Sequence, residues 1–103
     1  MVPRPRSELH TILKDILGSN NVYFQPPSTV TLKYPCIIYA IDGMQIKHAS
    51  NNPYKHGKRY LVTVVDKNPD SNIPEKVAKL PTVQFGRSYS ADYLNHNTFR
   101  LYF

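Results

Sequence analysis

Apolar side chains recur along this chain with two different periods, and the switches between them mark out its elements. Leu9, Ile12, Leu13, Ile16 and Leu17 fall at i, i+3, i+4, i+7 and i+8, the single apolar stripe of an amphipathic helix. Ser7 as N-cap, Glu8 in the first turn and Gly18 as the stop place that helix at about residues 8–17. Its polar back carries His10, Lys14 and Asp15, so it is expected to lie across one face of a sheet. Asn21-Val-Tyr-Phe24 predicts a short strand that Gln25-Pro-Pro27 ends, because consecutive prolines cannot donate to a ladder.

The period then becomes two. In Cys36–Ile41, Ile37, Tyr39 and Ile41 oppose Cys36, Ile38 and Ala40, the pattern of a strand covered at least in part on both faces. Its expected partner is Arg59–Asp66, where Tyr60, Val62 and Val64 oppose Leu61, Thr63 and Val65. Asp42–Lys58 between them is long for a hairpin connection and rich in turn formers, and it reads as an extended arm with a mobile tip. Asn68-Pro-Asp-Ser71 predicts a turn in which Ser71 caps a helix of about nine residues, with Pro74 at its third position and Pro81 as its stop. Ile73, Val77 and Leu80 form its apolar stripe.

Val83–Tyr89 reads as a strand whose Gly86 marks a bulge or a close backbone approach. Ser90–Asn97 is expected to turn the chain into a last strand at about Thr98–Phe103, where Phe99-Arg-Leu-Tyr-Phe103 alternates. The order helix, strand, strand, helix, strand, strand predicts an α+β fold. It would be a mainly antiparallel β-sheet with two helices packed on one side and a long projecting β-hairpin. Residues 1–103 form a single domain, a size at which one core is the rule.

Composition adds a partner class. Thirteen Lys and Arg against seven Asp and Glu leave a net charge of +6, which favours acidic partners such as nucleic acid or an acidic protein surface. From Gly43 to Val65 there is no acid, while Lys47, His48, Lys55, His56, Lys58 and Arg59 all fall there. These six are the candidate inter-subunit or DNA-facing arm, with a solvated loop as the alternative. The single cysteine, Cys36, lies in an apolar run, where a thiol behaves as a small hydrophobe. No apolar stretch reaches membrane-span length, and Met-Val-Pro-Arg-Pro-Arg leads into a polar helix start instead of a signal sequence. A reducing cytoplasm is the expected folding compartment, and no membrane partner is expected.

The groupings that carry chemistry are missing. The histidines, at 10, 48, 56 and 96, have no metal-ligand spacing, and the glycines at 18, 43, 57 and 86 are too dispersed to cradle a phosphate. No catalytic residue, metal ligand or cofactor is assigned, and the protein is not expected to be an enzyme. Asp66, Asp70 and Asp92 have a simpler use as turn residues. Cys36 with His96 would serve as nucleophile and base only with an exposed thiol and a group to orient the imidazole.

Arg59-Tyr-Leu-Val-Thr-Val-Val-Asp66, Asn68-Pro-Asp-Ser71, Leu80-Pro81, Asp92-Tyr-Leu-Asn-His96 and Phe99-Arg-Leu-Tyr-Phe103, preceded by Val22-Tyr-Phe-Gln-Pro-Pro27 and Tyr34-Pro35, together resemble small tail-completion proteins. That family serves long-tailed, siphovirus-like bacteriophages and prophages. The resemblance spans about residues 8–103 and rests on structural motifs. It implies a tail terminator: a virion protein, assembled in the bacterial cytoplasm, that forms a homo-oligomeric ring of six copies on the last ring of the tail. Its implied partners are itself, the major tail tube protein and the head-tail connector or stopper, with genomic DNA passing non-specifically through the lumen. The chain is shorter than lambda-type terminators, so another head-tail neck role stays open. So does a stand-alone basic nucleic-acid-binding module, while an enzyme using Cys36 or the turn aspartates ranks third.

Overall fold

The computed structural model of the chain describes residues 5–49 and 52–103, with backbone alone for 44–49 and 52–57. The fold is α+β, a five-stranded mixed sheet with two helices. Helix α1 (Arg6–Leu17) begins after Pro5, whose extended φ and ψ (−66°, 147°) serve as the cap without a side-chain bond. Ser7 is therefore not the N-cap; it lies inside the first turn, where its carbonyl accepts a bond from Thr11 Oγ1 (3.1 Å). Gly18 does stop the helix, at φ 78° with its N–H on the Lys14 carbonyl (2.8 Å), the left-handed position that glycine takes without steric cost.

Strand β1 (Val22–Phe24) pairs in parallel with β2 (Cys36–Ala49), Val22 opposite Ile37 and Phe24 opposite Tyr39. β2 runs antiparallel to β3 (Asn52–Asp66). Helix α2 (Ile73–Val77) follows, then β4 (Gln84–Ala91) and β5 (Leu94–Tyr102). The sheet order is β1-β2-β3-β5-β4, so β5 fills the place between β3 and β4 and all pairs except β1 with β2 are antiparallel. The two strands joined through α2 thus run parallel without touching, which answers the direction that a short helix leaves open.

Both helices cover one face. Leu9 and Leu13 of α1 and Ile73 and Val77 of α2 pack on Ile37, Tyr39, Tyr60, Val62, Val64, Phe99 and Leu101. α2 has five residues instead of about nine; its cap is Asn72, and Ser71 Oγ accepts only from the Ile73 N–H (3.3 Å). Leu80 reaches the core from beyond the helix end. The opposite face carries a smaller cluster of Cys36, Val65 and Leu94 with Tyr23 and Ile38 against it. β5 begins at Leu94, earlier than the alternation at Thr98 suggests, because Asn95, His96 and Asn97 continue its ladder with β3.

The turn is only Asp92-Tyr93, both at positive φ (53° and 63°). That is the two-residue hairpin geometry in which the second place favours glycine; a tyrosine there costs roughly 1–2 kcal/mol. Gly86 marks both a bulge, between Phe85 and Ser88, and a close approach. A Cβ at Gly86 would lie 2.5 Å from Thr98 Oγ1 and 3.1 Å from the Thr98 carbonyl oxygen. The same Thr98 hydroxyl accepts from the Arg87 N–H (2.9 Å) and donates to the Arg87 carbonyl (3.2 Å), replacing ladder bonds that the bulge removes.

One buried polar group joins the layers. The Tyr39 ring is fully buried, between Phe24 and Tyr60. Its hydroxyl accepts from Arg6 Nη1 (2.9 Å) and lies 2.7 Å from His10 Nδ1. In the neutral tautomer whose proton is on Nε2, Nδ1 accepts from this hydroxyl. Burial, then Arg6 and Lys14, hold the His10 pKa below its ordinary 6.5. A depressed histidine means the unfolded chain binds more protons, so this contribution is present above pH 6.5 and is lost as pH falls below it. Thermal melts at decreasing pH should show the wild type losing stability through this window. His10→Gln should flatten that slope, and Tyr39→Phe should lower stability by about 1 kcal/mol at neutral pH.

Candidate functional site

The six candidate residues fall on the two arms of the β2–β3 hairpin. The register sets Lys47 opposite Lys55, Ile46 opposite His56, His48 opposite Pro53, Met44 opposite Lys58 and Gly43 opposite Arg59. Backbone pairing continues to Ala49 and Asn52, so the segment expected as an extended arm is strand on both sides. The side chains of Lys47, His48, Lys55 and His56 lie outside the described residues, as does the tip, Ser50 and Asn51. Lysines directly opposite one another disfavour an isolated hairpin. Lys58 is exposed, and its carbonyl accepts from the Phe103 N–H (3.0 Å).

Arg59 has a different surrounding. Ile41 pairs with Tyr60 and Gly43 with Arg59, which leaves Asp42 as an extra residue, a bulge at the root of the hairpin. The bulge presents both Asp42 oxygens to cations. Arg59 Nη2 donates to the Asp42 carbonyl (2.9 Å), Arg59 Nε lies 3.4 Å from Oδ2, and Arg100 Nε donates to Oδ2 at 2.7 Å. The Arg59 guanidinium lies over Gly43, where a Cβ would sit 3.1–3.2 Å from it. The bond from Arg100, helped by the charge of Arg59 and opposed by partial desolvation, holds the Asp42 carboxyl below its ordinary range.

From this node the helix-free face of the sheet extends as a shallow groove of about 380 Å³ lined by Leu61, Thr63, Arg87, Tyr89, Thr98 and Arg100. The Arg87 guanidinium covers the Tyr89 ring at 4.7 Å, and His96 stacks with that ring, also at 4.7 Å and 10° between planes. The Tyr89 ring is thus already engaged by two neighbouring side chains. Arg87 makes no ion pair among the described residues.

No protein-family model and no curated protein matches this chain. What the arrangement can do is therefore argued from its chemistry. Cys36 is fully buried, and burial, reinforced by Asp66, pushes its thiol up to about 11. A thiol so disposed is a poor nucleophile at neutral pH. His96 Nδ1 lies 3.2 Å from the Leu94 carbonyl, so its ring is oriented by its own hairpin. Among the described residues no group of three or more His, Cys, Asp or Glu could hold a metal ion. Asp66 and Asn68 side chains accept backbone N–H bonds from Asn68 and Asp70 (both 3.0 Å) in consecutive turns. The site is a cluster of charged side chains, Arg59 and Arg100 paired with Asp42 and Arg87 lying over Tyr89.

Asp42, Arg87 and Arg100 were not legible as a group. A signal existed for one of them: Asp42 is the only acid between Asp15 and Asp66, and it precedes a glycine inside a strand pattern, a mark of a bulge. Asp42→Asn should lower stability by at most about 1 kcal/mol, as befits a part-exposed pair, and less in high salt. A depressed carboxylate stabilises above its ordinary pKa, so the difference between wild type and variant should vanish as pH falls through the range below 3.8. Native alkylation should leave Cys36 unmodified at neutral pH, whereas denatured protein should react fully; mass spectrometry separates the two.

Proposed function

We propose that this chain is a structural assembly subunit, a tail-completion or terminator protein that forms a ring at the head-proximal end of a phage tail. In that role it ends tube polymerisation and offers its other side to the head connector. The observation that carries the reading is the reach of the hairpin. β1 pairs with β2 only as far as Tyr39, and β5 pairs with β3 only as far as Arg59, yet β2 and β3 remain paired to Ala49 and Asn52. Among the described residues, both outer edges of the hairpin beyond those points have no strand of this sheet beside them, and unpaired edges are covered by a neighbour or become a liability.

The resemblance of the sequence motifs to terminators supports the same reading, as does the +6 charge beside a DNA-filled lumen. A stand-alone nucleic-acid-binding module is less well supported. Arg59 and Arg100 share the Asp42 carboxylate, and the Tyr89 ring already stacks with His96 and lies under Arg87. The other basic arm residues would line the lumen or clasp the adjacent subunit.

Replacing residues 48–56 by a tight turn should abolish ring formation, seen by light scattering and negative-stain imaging, while the melting transition persists. Unchanged rings in that variant would refute the clasp. The nucleic-acid alternative predicts instead tight binding by single subunits with a steep salt dependence.

A further inference from the structure

The two ends of the β4–β5 ladder are complementary in shape and in charge. At one end Tyr93 is 100% exposed, an aromatic ring with no neighbour, held at φ 63°. At the other end lies an apolar recess of about 290 Å³ lined by Leu9, Ile12, Leu80, Pro81, Leu101 and Phe103, with Thr82 and Tyr102 at its polar side. A cavity of about 150 Å³ accommodates a benzene ring, so a tyrosine ring fits with room for its hydroxyl near the threonine. The ends are about 27 Å apart along β5.

Thr82 is itself at positive φ (62°), a β-branched residue in a strained conformation. It is fixed there by donating from Oγ1 to the Tyr102 carbonyl (2.9 Å) and accepting from the Tyr102 N–H (3.0 Å). Strain persisting in this way gathers where a surface must be held in one shape, and here it holds both the protruding ring and the lip of the recess. Charge follows the same polarity. Asp66, Asp70 and Asp92 lie at the Tyr93 end, with Lys67 among them, while Lys58 and Lys79 are exposed beside the recess, with Glu8 on its helix side.

We infer that Tyr93 of one copy of this chain seats in the recess of the next, joining copies head to tail. Such a contact uses two different patches, so it repeats around an axis and closes into a ring when the rotation per copy divides a full turn. The inference rests on the self-assembly reading and names the surfaces that make the contact.

Sedimentation velocity at rising concentration tests it. Wild type and Tyr93→Phe should form species larger than one subunit. Tyr93→Gly should lose them, yet melt at the same or a higher temperature because glycine accepts positive φ. Ile12→Glu, which puts a carboxylate on the recess wall, should also stay single. Mixing Tyr93→Gly with Ile12→Glu should yield 1:1 pairs and nothing larger, since only one good contact remains. Assembly of Tyr93→Gly equal to wild type, or full-size assemblies from the mixture, would overturn the knob and recess while leaving self-assembly standing. A wild type that stays single at every concentration would overturn self-assembly, and the contact with it.

Discussion

The docking of α1 across β1 and β2 is the constraint on which the rest of the molecule depends, and the Tyr39 hydroxyl organises it. A tyrosine can be buried at the centre of an apolar layer only if its O–H is satisfied, and the bonds come from Arg6 and His10, both on α1. The helix cannot slide or rotate on the sheet without breaking them. Arg6 adds a second tether, its guanidinium stacked 4.3 Å from the Phe24 ring centroid, so β1 is drawn into the same arrangement. One polar atom therefore fixes the register between helix and sheet that apolar packing alone would leave less specific.

With that face closed, the opposite face can stay open. The sheet carries large apolar residues on the helix side and small or mixed ones, Ala40, Leu61, Thr63 and Thr98, on the other. The Asp42 bulge stands where the fully packed part of β2 gives way to the hairpin. By adding one residue to β2 it turns a carboxylate toward two arginines of neighbouring strands, and Gly43 leaves room for the Arg59 guanidinium to lie flat. The root of the hairpin is thereby tied to β5 as well as to β3.

Strand and helix identity were legible wherever the apolar period was clean: α1, the shared centre of β2 and β3, and the Gly86 bulge. The misreadings have physical causes. Ser7 has the chemistry of a cap, but Pro5 already supplies the extended backbone that a cap requires, so the helix starts two residues early. Ser90–Asn97 is polar enough to read as loop, yet Asn95 earns a place in β5 by donating to the Asp66 and Lys67 carbonyls. α2 ends before Leu80 because that side chain reaches the core without helical geometry. The node at Asp42 unites residues up to 58 positions apart, and such long-range pairing leaves no local trace in sequence. The segments at 44–49 and 52–57 were legible only as an extended arm, because their polar residues do not alternate with apolar ones, although the backbone there is paired.

The strand order carries a temporal implication. β4 is hydrogen-bonded to β5 and to no other strand of this sheet, and α2 and β4 precede β5 in the chain. During synthesis β4 is made before β5, the only strand that pairs with it among the described residues. Its eight exposed residues must wait as solvated chain until β5 slots in beside β3.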